Sequence, residues 1–363
     1  RRGNTGRLQK SKRFSYKYKI KVKKVMLFSV VIAVRNEKNY IKKCIEGIFS
    51  QDIKEDFEVF VVDGMSNDGT FEILKGLNKK FNFTLLRNKK INAAAGRNIG
   101  IKKSKGKYIA FVDGDAVPQK NWLSEIKKVF SKQKEDVVGV GGPDELPEDS
   151  EKKSRRFGQI MTSPLSRGGR LNPSTQHSLI DEEKFAEHIP TCNLCLKKKV
   201  FDDLGLFDEK FAKGQDLELN YRIAKAGFTL LYSPKIQVVH YRKNHIRSFV
   251  KQIYKWAKAK VAIIKKHGFD GLISHIYLWP VYSLTALAGL ILIFSLIGFL
   301  WIFFASLLLG FIIYMSIICL ESINLAKKFN EKKLIYYGLF LIPIVHISYF
   351  LGVLAAILKK RIW

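Results

Sequence analysis

Acidic side chains recur at matching places in this strongly basic chain. Arg35-Asn36-Glu37 follows one apolar run. Asp63-Gly64-Met65-Ser66-Asn67-Asp68-Gly69-Thr70 follows a second, and Asp113-Gly114-Asp115 follows another. Asp, Gly and Ser are common in turns for backbone reasons, so no one segment identifies a site. Three on one rim are a different matter. Clustered carboxylates suit a hard divalent cation, Mg²⁺ or Mn²⁺, which takes oxygen ligands and bridges to phosphates.

The rim exists only if the runs before these segments are neighbouring strands. Residues 27–34, 57–62, 83–87, 108–112 and 137–140 read as strands. Between them, 39–50, 68–80, 93–103 and 122–131 read as helices; Ile41, Ile45 and Ile48 show the spacing. This βαβα order predicts an α/β fold, a mostly parallel sheet with helices on both faces. Ligands in such sheets bind beyond the carboxyl ends of the strands, where the acidic segments stand.

The remaining composition points to a membrane. The 363 residues include 63 Lys and Arg against 32 Asp and Glu, for a formal charge of +31, and 47% are apolar. That apolar share excludes a disordered basic tail. The charge is uneven, with +11 on residues 1–25, +5 on 277–363 and +15 on the rest. Residues 277–320 contain no Asp, Glu, Lys, Arg or His. One transmembrane helix needs about 20 such residues, so the segment predicts a helical hairpin turning near residues 298–305. A loop with Lys327, Lys328, Lys332 and Lys333 follows, then a third apolar run, 334–358, holding Pro343 and His346. Lys258, Lys260, Lys265 and Lys266 precede the first span and place that side in the cytoplasm. The third run either crosses, exporting Lys359, Lys360 and Arg361, or turns back at Pro343. Four cysteines fit a reducing compartment, and the Cys192–Cys195 pair reads as ordinary packing. Ile246, Phe249, Val250, Ile253, Trp256, Ala257, Val261 and Ile264 recur at helical spacing opposite Lys251, Lys255, Lys258 and Lys265. They predict a basic amphipathic helix over 245–268 lying on the membrane surface.

A second reading of the motifs comes from their combination. Val30-Val31-Ile32-Ala33-Val34-Arg35-Asn36-Glu37 leads, followed by Val61-Val62-Asp63-Gly64 with Ser66, Asp68, Gly69 and Thr70. Ala95-Gly96-Arg97-Asn98 with Gly100 comes next, then Asp113-Gly114-Asp115, Gly205-Leu206-Phe207-Asp208-Glu209 and Gly214-Gln215-Asp216-Leu217-Glu218. In this order, over about residues 27–260, they resemble the family 2 glycosyltransferases, which have a GT-A nucleotide-sugar fold.

The resemblance implies a UDP- or GDP-sugar donor and Mg²⁺ or Mn²⁺. Asp63 would hydrogen-bond the base, with Ala33, Val34 and Glu37 lining the nucleoside pocket and Arg97 beside the nucleotide. Asp113 and Asp115 form the DxD motif, one reaching the ribose and the other the metal, with Asp115 the stronger metal ligand. His240 is implied as a further metal or diphosphate ligand; the alternative is a polar strand-end histidine. Asp216 is the implied base. The family usually has two acids here, and this chain has Gln215-Asp216, so the second is kept. Gln252, Lys255 and Trp256 resemble a polymer- or diphosphate-binding QxxRW motif, with Lys for Arg. Lys is a point charge, without the bidentate fork of Arg, and the amphipathic helix explains the same residues.

The expected organisation is a basic flexible extension over 1–25, a catalytic domain over 26–244, the interfacial helix over 245–268 and a membrane region over 277–358. The expected activity is inverting transfer of one sugar to a membrane-embedded acceptor at the cytoplasmic face of the cell membrane, with the protein multi-pass. Retention of Asp216 favours a hydroxyl of a polyprenyl-linked glycan, because a polyprenyl phosphate is already anionic. The loop-rich segment 143–190, with Arg155, Arg156, Arg167 and Arg170, is an acceptor loop or a solvated surface. Alternatives are a polyprenyl-phosphate glycosyltransferase, a processive polysaccharide synthase, disfavoured because the expected spans all follow the catalytic domain, and a basic membrane adaptor. The positive charge is assigned to membrane and phosphorylated substrates, with no nucleic-acid partner.

Overall fold

The computed structural model describes residues 26–147, 150, 152–167, 181–241, 246–268, 286–287, 289–290, 292–293 and 300–358. The expected extension over 1–25, most of the first half of the hairpin, and Arg170, Lys359, Lys360 and Arg361 lie outside the described residues.

The first strands form as their sequences require. β1 (Phe28–Val34) lies between β2 (Phe57–Asp63) and β4 (Tyr108–Val112), parallel to both, and β3 (Thr84–Arg87) extends the sheet parallel to β2. A central strand covered on both faces reads as a continuous apolar run. In β1, Phe28, Val30, Ile32 and Val34 join one core and Val31 joins the other, the period-two alternation of a strand. Helices α1 (Ile41–Phe49), α2 (Thr70–Asn78) and α4 (Trp122–Lys132) contribute to the first core. Helices α3 (Ala93–Lys103), α7 (Lys199–Leu204) and α8 (Gln215–Lys225) contribute to the second.

Beyond β4 the sheet departs from simple alternation. β9 (Asn193–Lys197) inserts antiparallel between β4 and β6 (Val137–Gly141), and β10 (Thr229–Tyr232) lies parallel to β6. β8 (Lys184–Ala186) closes the edge antiparallel to β10. The CxxC segment is therefore a central strand; Cys192 and Cys195 are buried and unbridged. A second sheet joins β5 (Ala116–Pro118), β11 (Val238–His240) and β7 (Asp144–Glu145), with β11 in the middle. Two short helices, α5 (Lys152–Ile160) and α6 (Pro164–Arg167), follow β7.

The amphipathic helix is present as α9 (Ile246–His267), but its apolar stripe does not face lipid. Phe249, Ile253, Ala257 and Val261 pack on Val345, Tyr349, Val353 and Ala356 of the last helix, α11 (Leu334–Leu358). Ala262 and Ile263 pack on Phe211 and Tyr221. Gly214, at the N-terminus of α8, has φ +76, and a Cβ there would sit 2.7 Å from the Ala259 methyl. Glycine alone allows both that conformation and that approach.

Two long apolar helices follow. α10 (Leu300–Lys328) is helical from Leu300 onward, so no turn reaches Ala305, and Lys327 and Lys328 belong to its last turn. Helix α11 continues unbroken through Pro343, without the turn that one of the two readings of this run placed there. Neighbours can restore the backbone group that a proline frees. Both helices are long and apolar enough to cross a membrane. Leu308, Leu309, Phe311 and Ile312 on α10 are all exposed, which the core helix of a water-soluble domain would not show.

The catalytic half is tied at two places, to the α10–α11 connection and to α9. Arg156 of α5 pairs with Glu331 between α10 and α11, at 3.3 Å, and Phe157 packs beside Tyr337. Buried Glu218 of α8 accepts from Arg222 at 2.9 Å, Lys266 at 2.7 Å and His267 at 2.9 Å. Burial pushes the Glu218 carboxyl up, but its bonds to Arg222 and Lys266 outweigh this and hold it below the usual range. Glu218→Ala is expected to cost about 1–3 kcal/mol, because it removes a buried acceptor shared by three partly exposed cationic side chains. A fall in the thermal midpoint reads it. The contribution is complete above the unfolded carboxyl value of about 4.3 and is lost as pH falls through the lower native value.

Candidate active site

The acidic segments do meet at one end of the sheet. Asp63 ends β2 and is fully buried. Its Oδ2 accepts from the Ser66 amide at 3.1 Å and pairs with Arg87 of β3 at 3.0 Å. Its Oδ1 is buried with no hydrogen-bond partner. A buried acceptor left in this state costs free energy, so a donor group is missing there. The loop around it is fixed by Gly64 N to Val34 O at 2.8 Å, Asn36 N to Ser66 Oγ at 3.0 Å and Glu37 N to Thr70 Oγ1 at 2.9 Å. These bonds hold Val34 and Glu37 in the same cluster of loops as Asp63, which Val34 also faces in register across the sheet. Asn36 and Met65 both hold positive φ, 58 each; non-glycine residues in that region are strained and cluster at functional sites.

Arg97 comes from α3, whose N-terminus is capped by the Asn92 side chain accepting from Ala94 and Ala95. Its Nη2 pairs with Asp113 Oδ1 at 2.9 Å. Its Nη1 is buried without a hydrogen-bond partner. A carboxylate acceptor at Asp63 and a guanidinium donor at Arg97 are thus both incomplete.

Asp113 and Asp115 follow β4, and Asp115 leads into β5. Backbone bonds fix this corner: Ala116 N to Asp113 O at 3.0 Å and Tyr241 N to Asp115 O at 2.8 Å. In the small sheet His240 lies opposite Ala116. Its Nε2 stands 3.2 Å from Asp115 Oδ1. Ligand atoms of Asp113, Asp115 and His240 all lie within 4.8 Å of one another. Two carboxylates and an imidazole at such spacing fit a Mg²⁺- or Mn²⁺-type ion.

Asp216 opens α8, where the helix dipole favours a carboxylate. His188 stands 3.6 Å from it. Burial pushes the Asp216 carboxyl up, but His188, the Arg97 charge and the Leu217 amide outweigh this and hold it well below the usual range. It is an anion at neutral pH. Neighbouring Gln215 is buried, with its Oε1 lacking a hydrogen-bond partner.

Gln252, Lys255 and Trp256 lie elsewhere. Gln252 and Lys255 are exposed on α9, and Trp256 packs against the α9–α11 core. No hydrogen bond or ion pair among the described residues joins Lys255 to the Asp113–Asp115–His240 group. Burial and the Lys251, Lys213 and Lys258 charges push Lys255 down, so it belongs to a lysine cluster near the start of α8.

Four residues of the site were absent from the sequence reading. Arg87 ends β3 and holds Asp63. His188 faces Asp216. Asp144 stands 3.3 Å from His240 Nδ1. Buried Asn193 accepts from Trp122 Nε1 at 2.8 Å and donates to Pro143 O at 2.9 Å and Ile236 O at 2.7 Å. The Gly141-Gly142-Pro143-Asp144 run was the available signal. A Cβ on Gly142 would sit 2.1 Å from Ile236 O, so the run carries a close backbone approach as well as a loop.

Residues 29–205 match the family model described as Glycosyl transferase family 2. A dolichyl N-acetyl-alpha-D-glucosaminyl phosphate 3-beta-D-2,3-diacetamido-2,3-dideoxy-beta-D-glucuronosyltransferase from Methanococcus voltae is 29% identical over 313 residues, 84% of this chain and 88% of that protein. Glycosyltransferase AglE from Haloferax volcanii is 28% identical over 215 residues, 58% of this chain and 66% of that protein. Among solved structures, a mannosyltransferase from Pyrobaculum calidifontis in complex with GDP-Man and Mn²⁺ superposes with a TM-score of 0.62 at 18% identity. That match covers 92% of this chain and 88% of the other, and it shows the fold to be of the GT-A type.

Proposed function

From the family 2 glycosyltransferase domain that this chain carries, we propose that the enzyme moves one sugar, with inversion, from a UDP- or GDP-sugar to a hydroxyl of a polyprenyl-linked glycan at the cytoplasmic face of a membrane. The observation that carries the donor half is the pair of incomplete buried groups, Asp63 Oδ1 and Arg97 Nη1, on either side of the strand ends. Asp63 accepts from the N–H of the base. Arg97 donates to the nucleotide phosphates. Asp115, Asp113 and His240 hold Mg²⁺ or Mn²⁺, which when bound supplies positive charge against the leaving diphosphate. Asp216 takes the acceptor proton as the hydroxyl attacks the anomeric carbon.

The acceptor half is supported by architecture and by a relative. The Methanococcus voltae protein acts, by its name, on a dolichyl phosphate-linked sugar. Here α5 carries an ion pair to the connection between the two long apolar helices, and α8, which holds Asp216, carries one to α9, which in turn packs on α11. The base favours a hydroxyl over a polyprenyl phosphate, which needs no deprotonation. The Lys327, Lys328, Lys332 and Lys333 cluster lies beside the Arg156–Glu331 tie, so the positive-inside rule puts the catalytic domain in the cytoplasm. The proposed catalytic domain spans 26–244, the helix packed on α11 spans 245–268 and the membrane region spans 277–358, with the protein multi-pass.

Asp63→Asn tests the donor pocket. It is expected to weaken UDP or GDP binding about tenfold to a hundredfold, the worth of a hydrogen bond to a charged group. Calorimetry with inorganic diphosphate as control reads it. An equal loss for diphosphate would contradict the role, because diphosphate has no base.

A further inference from the structure

The small sheet does more than carry His240 to Asp115. Its strand order is β5–β11–β7, and each strand brings one polar side chain to the same spot. Asp115 precedes β5, His240 ends β11 and Asp144 begins β7. Asp144 is 2% exposed. Its Oδ2 lies 3.3 Å from His240 Nδ1, while His240 Nε2 lies 3.2 Å from Asp115 Oδ1. The imidazole is thus addressed at both nitrogens, by a buried carboxylate behind and by the DxD carboxylate in front. The Cys192 thiol also donates to Asp144 Oδ2, at 3.4 Å.

The backbone around Asp144 is built to hold it still. Pro143 O and Ile236 O are both bonded by Asn193 Nδ2. Asp144 pairs in register with Val238, two residues before His240. Gly142 lets its strand approach Ile236 and Ser233 closely; a Cβ would meet Ser233 O at 2.4 Å. Asn193 therefore ties the approaches to Asp144 and His240 through one side chain.

We propose that Asp144 is a positioning residue for the metal centre, fixing His240 with its proton on Nδ1 so that Nε2 presents its lone pair to a divalent cation shared with Asp115. A histidine that binds a metal generally donates its other ring N–H to a carboxylate or carbonyl, which sets the tautomer and raises ligand basicity. Asp144 is the group in that position here. The inference deepens the proposed activity and rests on its metal site. It places the ion in front of His240, away from the deeper Asp144–Cys192–His240 trio, whose ligand atoms also lie within 4.8 Å of one another.

The test measures Mn²⁺ binding by the full-length protein, using the electron paramagnetic resonance of free Mn²⁺ with UDP or GDP present. Asp144→Asn keeps the shape, but its amide can donate to Nδ1 and favour the wrong tautomer. It is expected to raise the Mn²⁺ Kd about tenfold to a hundredfold, the usual cost of losing such a partner. His240→Ala should also weaken binding, and Asp144→Asn added to it should change nothing further. Cys192→Ala should bind Mn²⁺ as the parent does. Additive losses in the double variant would overturn the proposal, since Asp144 would then act independently of His240. Unchanged affinity in Asp144→Asn would overturn it too, as would a Cys192→Ala loss as large as that of Asp144→Asn. A thermal melt of each variant separates misfolding from a specific loss. Failure of the parent protein itself to bind Mn²⁺ would defeat the metal reading as a whole, a result distinct from all of these.

Discussion

Asp216→Asn is expected to lower the rate of sugar transfer about 10²–10⁴-fold while leaving donor affinity close to that of the parent. The range is that of a lost general base. The substitution keeps the shape and the helix start and removes only the ability to take a proton. Donor affinity should hold, because the base acts on the acceptor. A kcat loss with an unchanged donor KM reports an interaction made in the transition state alone. The pH profile gives a second reading. His188 and Arg97 hold the Asp216 carboxyl well below its usual range against the opposing effect of burial. The carboxylate is therefore ready to accept at neutral pH, and acid removes it only below the ordinary aspartate value of about 3.9. His188→Gln should raise the pH at which activity falls, since it removes one of the groups holding that value down. An unchanged acid limb in His188→Gln would contradict the pairing.

Asp115→Ala carries the other large effect. Transfer is expected to fall by about a hundredfold to a thousandfold or more, the scale of losing charge stabilisation aimed at a transition state. The fold should survive, because Asp115 holds its corner through its backbone carbonyl, which accepts from Tyr241 N at 2.8 Å. The variant should therefore insert in membranes normally and lose Mn²⁺ stimulation. A basic membrane adaptor, the non-enzymatic alternative, would tolerate this change. Undiminished transfer by Asp115→Ala would remove the DxD carboxylate from the account.

The sequence allowed some of this to be read and hid the rest for identifiable reasons. The first half of the sheet was legible because β1, β2, β3 and β4 are parallel, apolar and separated by amphipathic helices. The rim of acids followed from it. β9 was missed because an antiparallel strand inserted late in the chain leaves no mark in the βαβα alternation. With it went Asn193, whose bonds depend on that insertion. Asp144 sits in a glycine- and proline-bearing run that reads as loop, and its role depends on β11, nearly a hundred residues later in the chain. His188 meets Asp216 only through tertiary packing. The amphipathic period of α9 was correct, but periodicity says that a face is covered and does not say by what. Helix α11, equally apolar, is what covers it. Lys255 illustrates the same limit, since its spacing matched a motif while its neighbours are other lysines.

The hydrophobic ends invite a similar correction. Helix α10 exposes apolar side chains as a lipid-facing helix does, while half of the most apolar stretch of α11 is buried against protein. The membrane region and the catalytic domain therefore share a packed boundary, through Arg156, Phe157 and the α9–α11 core. Under the proposed function, that boundary would set the site of transfer near the membrane surface, where a lipid-linked acceptor would present its glycan.

The most direct measurement is sugar transfer by the full-length protein in membranes, supplied with polyprenyl-linked glycan acceptors and a panel of radiolabelled UDP- and GDP-sugars with Mn²⁺. At least one donor should label a product that extracts with lipid, extended by a single sugar, and chelation of the metal should abolish it. A ladder of longer products would contradict single addition. No binding or turnover of any donor would contradict the account as a whole.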